Sequence, residues 1–268
     1  MQKKSKFYKH NLKLKRSLSQ NFIFDRNLTD KIVKYSLPLS NTVIEIGPGA
    51  GTLTKSILKY DVKNFIIIEK DKSLINILTP LSKFNKNLKI YYEDVLKIPL
   101  WNLGDAPREV IANLPYNIST KILINLLRNI NCFEKMTLMF QKEVASRIVA
   151  KPSFKNFGRL SIISQLVSEP KILFEIPNSA FVPKPKVNST VVQFIPHKNK
   201  KFNFNFENIE KMTKLMFSKR RKMLRSIFRE ESNKNLFTSI NVDDNKRPEE
   251  LTLEELCKLE RYIYRSND

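Results

Sequence analysis

Residues 43–58, VIEIGPGAGTLTKSIL, decide the fold class that we predict for this chain of 268 residues. They begin with a short apolar run, Val43–Ile46, of the kind that forms a buried strand. After a glycine-rich turn, Leu53, Ile57 and Leu58 recur at the spacing of one helix face. A strand, a tight turn and a helix in this order indicate the first unit of an open α/β sheet.

Glycine is rare in this chain, yet three of its five glycines, Gly47, Gly49 and Gly51, fall within five residues. Such clustering predicts a backbone that turns sharply and lets another group approach closely. The G-x-G-x-G spacing differs from the G-x-G-x-x-G motif that cradles the pyrophosphate of a dinucleotide. The shorter spacing favours a nucleoside ligand without phosphates, for which S-adenosylmethionine is the leading candidate. An ordinary tight turn is the alternative.

Acidic side chains follow two further apolar runs. Phe65–Ile68 ends in Glu69, 22 residues after Gly47, a position from which a carboxylate accepts hydrogen bonds from ribose hydroxyls. Leu88–Tyr92 leads to Asp94, whose carboxylate suits an adenine amino group. Ligands of open α/β sheets bind outside the carboxyl ends of the strands, so these groups are expected to share one site. A surface glutamate beside a lysine is the alternative for Glu69.

The next apolar run, Val110–Ala112, leads into Asn113-Leu114-Pro115-Tyr116. These four residues bring together an amide, a carbonyl without a neighbouring N–H, and an aromatic face. That combination suits a flat group that carries an amino substituent. The alternative is an ordinary turn that ends a strand, since such sequences mark turns in many proteins.

Pro196 marks a change in the character of the chain. Apolar runs and helical patterns precede it, whereas the polar and basic stretch HKNKKFNFNF follows it. We therefore predict a basic arm over residues 1–16, an α/β domain over 17–198 and a small helical domain over 199–268. Helices of the last part are predicted at 209–217, 222–228 and 253–264.

The formal net charge of +22 and the isoelectric point near 9.9 point to a polyanion as partner. Residues 1–20 contain seven Lys or Arg residues and no acid. A second concentration consists of residues 219–222 with Arg225 and Arg229. Nucleic acid is the predicted partner, and the alternative is a genome whose base composition favours lysine codons.

The composition argues against membrane, secreted and metal-binding proteins. No apolar run approaches the roughly 18 residues of a membrane span, and no secretory signal is evident, so a cytoplasmic location is expected. Cys132 and Cys257 lie in no paired motif and are expected to be core thiols. Neither His10 nor His197 lies near the candidate site, so no histidine relay and no metal centre is predicted.

Several motifs together resemble the ribosomal RNA adenine N6,N6-dimethyltransferases. They are Gln20-Asn21-Phe22, Glu45–Thr54 (EIGPGAGTLT), Asn113–Ser119 (NLPYNIS) and Phe181–Val187 (FVPKPKV). Residues 217–225, FSKRRKMLR, resemble the arginine-rich helix of that family's C-terminal domain. The resemblance extends from about residue 17 to nearly the end of the chain. It matches the small-subunit branch of the family, since the large-subunit branch usually has other residues at Pro48 and Leu114.

The resemblance implies a Rossmann-like S-adenosylmethionine-dependent methyltransferase domain with a small C-terminal all-helical domain. The implied cofactor site consists of Asn21, Ile23, Gly47, Gly49, Gly51, Glu69, Asp94 and Asn113. The implied catalytic group is Asn113, Leu114, Pro115 and Tyr116, with Phe181 over the second face of the target base. The implied RNA contacts are Arg159, Lys219, Arg220, Arg221, Lys222 and Arg225. Two residues depart from the family pattern, since Glu93 stands where Gly is frequent and Lys55 where Glu is frequent.

The reaction implied by the resemblance is dimethylation of two adjacent adenosines near the 3′ end of 16S-type rRNA. The implied partner is this rRNA or the pre-ribosomal small subunit, bound by a monomeric protein. Methylation of 23S rRNA and a non-catalytic role in ribosome assembly are alternatives. A further alternative is methylation of glutamine in proteins, although enzymes of that class usually have Pro where Leu114 stands.

Overall fold

The computed structural model describes residues 21–199, 201–229 and 236–265. By their contacts these residues form two compact units. The first unit contains the described residues up to Ala145 together with Lys171–Pro196. The second unit contains Ser146–Pro170 and the described residues from His197 onward.

Seven of the described strands form one sheet in the first unit. The strands are β1 (Phe22–Ile23), β2 (Thr42–Ile46), β3 (Asn64–Ile68), β4 (Leu88–Tyr91), β5 (Arg108–Asn113), β6 (Lys135–Gln141), β7 (Ser168–Ile176), β8 (Phe181–Val182) and β9 (Ser189–Pro196). The sheet has the order β4-β3-β2-β5-β6-β9-β7, and β1 pairs with β8 separately. Strands β2 to β6 run parallel to one another, whereas β9 runs antiparallel to β6.

The order of the strands creates a crevice in the first unit. From β2 the chain moves outward to β3 and β4 and then returns to β5 on the other side of β2. The carboxyl ends of β2 and β5 therefore lie at the point where the strand order reverses, which is where open α/β sheets bind their ligands. Every residue of β2 is buried, because a parallel strand between two neighbours is covered on both faces.

Ten α-helices and several short 3-10 turns complete the described chain. The helices are α1 (Arg26–Tyr35), α2 (Thr52–Ile57), α3 (Ile75–Phe84), α4 (Ser119–Arg128), α5 (Lys142–Ile148), α6 (Arg159–Val167), α7 (Phe206–Ser218), α8 (Leu224–Ile227), α9 (Leu236–Ile240) and α10 (Leu253–Arg265). The 3-10 turns are Lys72–Leu74, Val95–Lys97, Leu100–Asn102, Ile130–Cys132, Asn178–Ala180 and Pro248–Glu250. Buried side chains of α1 and α2, such as Ile32 and Ile57, join the core beneath the sheet.

The second unit is built from the helices α6, α7 and α10, which pack on one another. Apolar residues at helical spacing on α7, namely Ile209, Met212 and Met216, are buried there. The buried Glu260 of α10 accepts hydrogen bonds from the Asn205 backbone N–H at 3.3 Å and from Asn208 Nδ2 at 3.0 Å. These bonds fix the start of α7 against α10.

Residues 217–225 do not form the single arginine-rich helix that the family resemblance implies, whereas the break between the helices predicted at 209–217 and 222–228 is confirmed. Helix α7 ends at Ser218, residues 219–222 form a turn, and α8 is only four residues long. The backbone N–H groups of Leu224 and Arg225 bond to the carbonyls of Lys246 and Asp244 instead of to a preceding helical turn. The cationic side chains therefore radiate from a turn.

The division of the chain differs from the predicted domains over residues 146–170 and, by two residues, at the later boundary, which follows Pro196 instead of Lys198. Residues 146–170 belong to the second unit, whereas the sequence analysis places them in the α/β domain. The physical reason is that α6 packs on α7 and α10. The predicted basic arm over residues 1–16 lies outside the described residues.

The two cysteines have different environments. Cys257 is buried in the second unit, as expected of a core thiol, and burial raises its pKa to about 12. Cys132 is exposed, so the prediction of a core thiol is wrong for that residue. It lies at the end of a short 3-10 turn that carries it to the surface.

Glu109 is a buried carboxyl at the amino end of β5, remote in the strand from the ligand crevice. One of its oxygens accepts the Ser40 backbone N–H at 2.7 Å, and the other lies 3.8 Å from Lys135 Nζ. Burial is the largest influence on this group and raises its pKa to about 7. The folded state therefore retains a proton that the unfolded chain loses at lower pH.

We predict that Glu109→Gln changes how stability depends on pH. From pH 5 to 8 the wild type should lose up to about 3 kcal/mol of unfolding free energy relative to the variant, because ionisation is easier in the unfolded chain. Denaturant unfolding at several pH values measures this difference. The exposed Glu169→Gln variant is the control and should run parallel to the wild type. Parallel curves for Glu109→Gln would contradict the prediction.

Candidate active site

A cavity of about 210 Å³ opens at the carboxyl ends of β2, β3 and β5. Ten of the predicted site residues line it, namely Asn21, Ile23, Gly47, Gly49, Glu69, Asp94, Asn113, Leu114, Pro115 and Tyr116. Gly51 and Phe181 are not part of the lining. The structure thus brings together residues from β1, the glycine-rich loop and the Asn113 turn.

The glycine-rich loop needs glycine at its three positions for different reasons. All three have left-handed φ angles, of 65°, 56° and 72° at Gly47, Gly49 and Gly51. A Cβ on Gly49 would lie 2.4 Å from Cε1 of Phe22, whose ring covers the loop. A Cβ on Gly51 would lie 3.1 Å from Cδ1 of Leu81, so this glycine serves the packing of the helix that follows.

Gly47 connects the loop with the Asn113 turn. A Cβ on Gly47 would lie 3.7 Å from Pro115 Cδ and 3.9 Å from the Asn113 carbonyl oxygen. The two motifs that are far apart in sequence therefore lie against each other. A ligand held on the loop is next to a ligand held on the turn.

Glu69 is a buried carboxylate at the end of β3. Its two oxygens accept the backbone N–H groups of Gly49 at 3.2 Å and Asp71 at 2.8 Å. Burial raises its pKa, although these two hydrogen bonds act in the opposite direction. Glu69 thus helps to hold the glycine-rich loop, and its carboxylate oxygens keep capacity to accept further hydrogen bonds at the cavity.

Glu45 lines the cavity but is not among the residues predicted from the sequence. Its side chain is 1% exposed. Neither carboxylate oxygen makes a hydrogen bond of good geometry in the described part of the chain. Burial raises its pKa to about 8, although Thr54 lies close enough to act in the opposite direction, and the negative charge of Glu69 contributes to the rise. The signal was visible in the sequence, because an acid within an apolar parallel strand is rare unless it has a partner.

Asp94 accepts hydrogen bonds within the protein that were not expected from the sequence. Its oxygens accept hydrogen bonds from Lys70 Nζ at 2.8 Å and from the Leu96 backbone N–H at 3.0 Å. The hydrogen bond from Lys70 is the main cause that lowers its pKa. Asp94 is therefore an ionised acceptor at the rim of the cavity, and Lys70 is a lining residue that the sequence analysis missed.

Asn113 has a fixed orientation at the end of β5. Its Nδ2 donates to the Asn21 carbonyl oxygen at 3.1 Å, which leaves Oδ1 as the free acceptor of the amide. Leu114 follows with a buried side chain, and Pro115 restricts Leu114 to an extended conformation. The site therefore contains two neighbouring oxygen acceptors, Asn113 Oδ1 and the Leu114 carbonyl.

Tyr116 is half-buried beside these acceptors. Its hydroxyl shares a short hydrogen bond with Ser189 Oγ, and Ser119 Oγ donates to its carbonyl oxygen at 3.1 Å. Burial raises the pKa of the phenol, which therefore stays neutral. The ring is held at both ends, as a stacking surface requires.

Phe181 does not occupy the position predicted for it. Its side chain is 2% exposed and packs in the core beneath the sheet. Its backbone pairs with that of Ile23, and Phe181 is not among the residues that line the cavity. In this structure Phe181 supports the β1 ribbon, which carries Asn21 and Ile23 to the site.

The predicted RNA-binding residues all belong to the second unit. Lys219, Arg221, Lys222 and Arg225 are exposed. Arg220 is not free, because its Nε lies 3.2 Å from Glu249 Oε2 and its Nη2 donates to the Lys155 carbonyl at 2.8 Å. Arg159 is half-buried at the start of α6.

The described residues contain no group of three or more His, Cys, Asp or Glu side chains that could hold a metal ion. Over the same residues, no helix has both the length and the apolar character to cross a bilayer. His197 bonds through Nε2 with the Gln165 carbonyl oxygen at 3.0 Å, within the second unit.

A family model described as Ribosomal RNA adenine dimethylase matches residues 11–265. Ribosomal RNA small subunit methyltransferase A of Ehrlichia ruminantium is 42% identical over 253 residues, which are 93% of this chain and 97% of that protein. The protein of the same name from Paramagnetospirillum magneticum is 40% identical over 258 residues, 95% of this chain and 92% of its own.

Two solved structures extend the comparison. A dimethyladenosine transferase from Plasmodium falciparum has a TM-score of 0.74 and 27% identity, covering 89% of this chain and 95% of that chain. The 23S rRNA methyltransferase ErmE has a TM-score of 0.68 at 18% identity, covering 91% and 99%, which shows the fold alone. The predicted Rossmann-like methyltransferase fold is thereby confirmed.

We predict that Gly49→Ala destabilises the protein by roughly 1–3 kcal/mol, because a left-handed φ is combined with overlap on the Phe22 ring. Thermal unfolding measures the effect. Gly158→Ala is the matched control, since the nearest atom to its Cβ would be 3.7 Å away on Phe217 and its backbone is extended. Equal melting temperatures for the two variants would contradict the prediction.

Proposed function

The chain belongs to the ribosomal RNA adenine dimethylase family, and from this premise we propose that it dimethylates small-subunit rRNA with S-adenosylmethionine as methyl donor. Its targets are the N6 atoms of two adjacent adenosines near the 3′ end, and the reaction belongs to maturation of the small subunit. The observation that carries the proposal is the contact between the glycine-rich loop and the Asn113 turn. If the loop holds the methyl donor and the turn holds the target amino group, this proximity brings the two groups together, which supports the proposal.

The residues around the loop fit the proposed cofactor. S-adenosylmethionine supplies, when bound, an electrophilic methyl group on a positively charged sulfur. Glu45 offers a buried carboxyl in the cavity lining whose oxygens make no hydrogen bond of good geometry among the described residues, which suits a cationic ligand. Glu69 is the acceptor proposed for the ribose hydroxyls, and Asp94 is the acceptor proposed for the adenine amino group.

The two acceptors of the turn activate the target nitrogen. The N6 lone pair of adenine is delocalised into the ring and is a weak nucleophile. Asn113 Oδ1 and the Leu114 carbonyl each accept one N6 hydrogen, and both dipoles stabilise the positive charge that develops on nitrogen. Because Asn21 holds the Asn113 amide, the acceptors need no rearrangement, and positioning supplies much of the rate.

No strong base is required for this chemistry. The ammonium product is acidic and releases its proton to water, which agrees with a site that has no histidine in its lining. For the second transfer only one N6 hydrogen remains. One of the two acceptors then gives up its partner, and the site must accommodate the first methyl group.

Tyr116 holds the plane of the base by stacking, a contact worth roughly 1–3 kcal/mol. The base has to leave its own stack before it reaches the ring. Exposed cations of the second unit, Lys219, Arg221, Lys222 and Arg225, are proposed to bind the phosphates, so affinity should fall as salt rises. A monomeric state and a cytoplasmic location stay predictions.

The function is tested by incubation with labelled S-adenosylmethionine and unmethylated small or large ribosomal subunits. We expect label only on two adjacent adenosines of small-subunit rRNA. Label on large-subunit rRNA would favour the 23S alternative, and label on protein glutamine would favour the protein-methylating alternative. Binding of the small subunit without any label would favour an assembly factor.

We predict that Asn113→Ala lowers methyl transfer at least 100-fold, because one of two preorganised acceptors is removed. Binding of the small subunit should stay within about twofold of the wild type, since the cationic surface is unchanged. Single-turnover transfer and filter binding measure the two quantities. Asn131→Ala, at an exposed position, is the control. Loss of binding with retained transfer would contradict the assigned role.

We predict that Glu45→Gln weakens S-adenosylmethionine binding about tenfold. Burial raises the pKa of Glu45 to about 8 in this structure, and a cationic ligand would favour the ionised form, which the glutamine variant cannot adopt. Isothermal titration calorimetry measures the affinity. Glu109→Gln is the matched control, since it also neutralises a buried carboxyl of the sheet but lies outside the cavity lining. Equal affinities for Glu45→Gln and the wild type would exclude the charge interaction.

A further inference from the structure

The second unit displays an aromatic ring on a basic surface that the proposed catalytic mechanism does not use. We propose that Phe154 is a stacking platform for an unpaired base of rRNA, with the phosphates beside that base held by neighbouring cations. The Phe154 patch is defined as Lys151, Phe154, Lys155, Lys219, Arg221 and Lys222. The proposal rests on the proposed function, because it assigns a second contact to the same rRNA substrate.

Phe154 is exposed although its loop is held in place. Its side chain is 66% exposed, whereas Phe157, three residues later, is buried and anchors the loop. The Ser153 backbone N–H donates to the Glu249 carbonyl at 2.7 Å, and the Phe157 N–H donates to the Phe154 carbonyl at 2.9 Å. Exposure of a single ring is not unusual in itself. The loop is distinguished by a fixed backbone that holds this ring beside the cationic turn, a combination that indicates a contact surface for nucleic acid.

Arg220 joins the loop to the cationic turn. Its guanidinium bonds to the Lys155 carbonyl at 2.8 Å and to Glu249 Oε2 at 3.2 Å. The turn over residues 219–222 therefore adjoins the loop that carries Phe154. Arg220 thus positions the loop relative to the turn. This role explains why Arg220 is half-buried whereas the other cations of the turn are exposed.

The charges around Phe154 favour an anionic partner. Lys151, Lys155, Lys219, Arg221 and Lys222 are exposed, and no hydrogen bond or ion pair engages any of their charged groups among the described residues. Of the two acids that follow Pro248, Glu249 is half-buried and paired with Arg220, and Glu250 is exposed but accepts the Arg247 backbone N–H at 2.6 Å. A ring among free cations matches the combination that binds single-stranded nucleic acid, in which bases stack and phosphates pair with lysine or arginine.

The stacking surface selects unpaired rather than duplex RNA. Bases within an A-form helix present only their edges, whereas a loop, bulge or strand end can offer a base face to an aromatic ring. The Phe154 patch therefore fits an unpaired nucleotide of the rRNA that is distinct from the adenosine in the cavity. Its role is affinity for the particle and not methyl transfer itself.

Binding of Phe154→Ala to unmethylated small subunits tests the proposal. We expect about tenfold weaker binding at every salt concentration with an unchanged salt dependence, because stacking involves no counterion release. Lys155→Ala should instead reduce the salt dependence. Phe154→Trp should retain affinity, and its fluorescence should be quenched on binding over the background of Trp101. Phe84→Ala, at another exposed phenylalanine, should bind like the wild type.

The outcomes separate this inference from the proposed function. Wild-type affinity for Phe154→Ala, in a protein that methylates small-subunit rRNA, would overturn the Phe154 role alone. Weaker binding to whole particles but not to purified small-subunit rRNA would also overturn it, because the patch would then contact a ribosomal protein. Weaker binding to purified rRNA supports the inference even if the wild type transfers no methyl group to that RNA.

Discussion

The close approach of the Phe22 ring to Gly49 is the contact on which the geometry of the site depends. The ring occupies the space that any side chain at Gly49 would need. It thereby holds β1 against the glycine-rich loop, and the residue before β1, Asn21, orients the Asn113 amide through its carbonyl. One steric constraint thus links the loop proposed to hold the methyl donor with the acceptor proposed to hold the base.

The fold and most of the cavity lining were predictable because their signals are local in sequence. The glycine cluster, the apolar run of β2 and the turn that begins at Asn113 each indicate a local backbone conformation from only a few consecutive residues. The rule that ligands bind at the carboxyl ends of strands then joins these segments into one site. Asn21 could be assigned to the site only through the family resemblance, because a polar residue before a two-residue strand has no local pattern that indicates a ligand contact.

The remaining features depend on contacts between distant segments, which single motifs do not encode. Phe181 begins a proline-rich segment that could hold an aromatic ring against a ligand, yet in the structure β8 pairs with β1 and Phe181 is buried. Arg220 resembles the exposed cations beside it, but Glu249 and the Lys155 carbonyl engage it. The signal of Glu45 was present in the sequence, but only the structure shows that this buried side chain lines the cavity.

The central claim is that Asn113 Oδ1 and the Leu114 carbonyl together hold the target amino group. A crystal structure with adenosine and a non-reactive analogue of S-adenosylmethionine tests it most directly. We predict that both oxygens lie about 2.7–3.2 Å from adenosine N6, with Asn113 Nδ2 still bonded to the Asn21 carbonyl. An adenosine whose N6 contacts neither oxygen, or an Asn113 amide turned so that Nδ2 faces N6, would contradict the account.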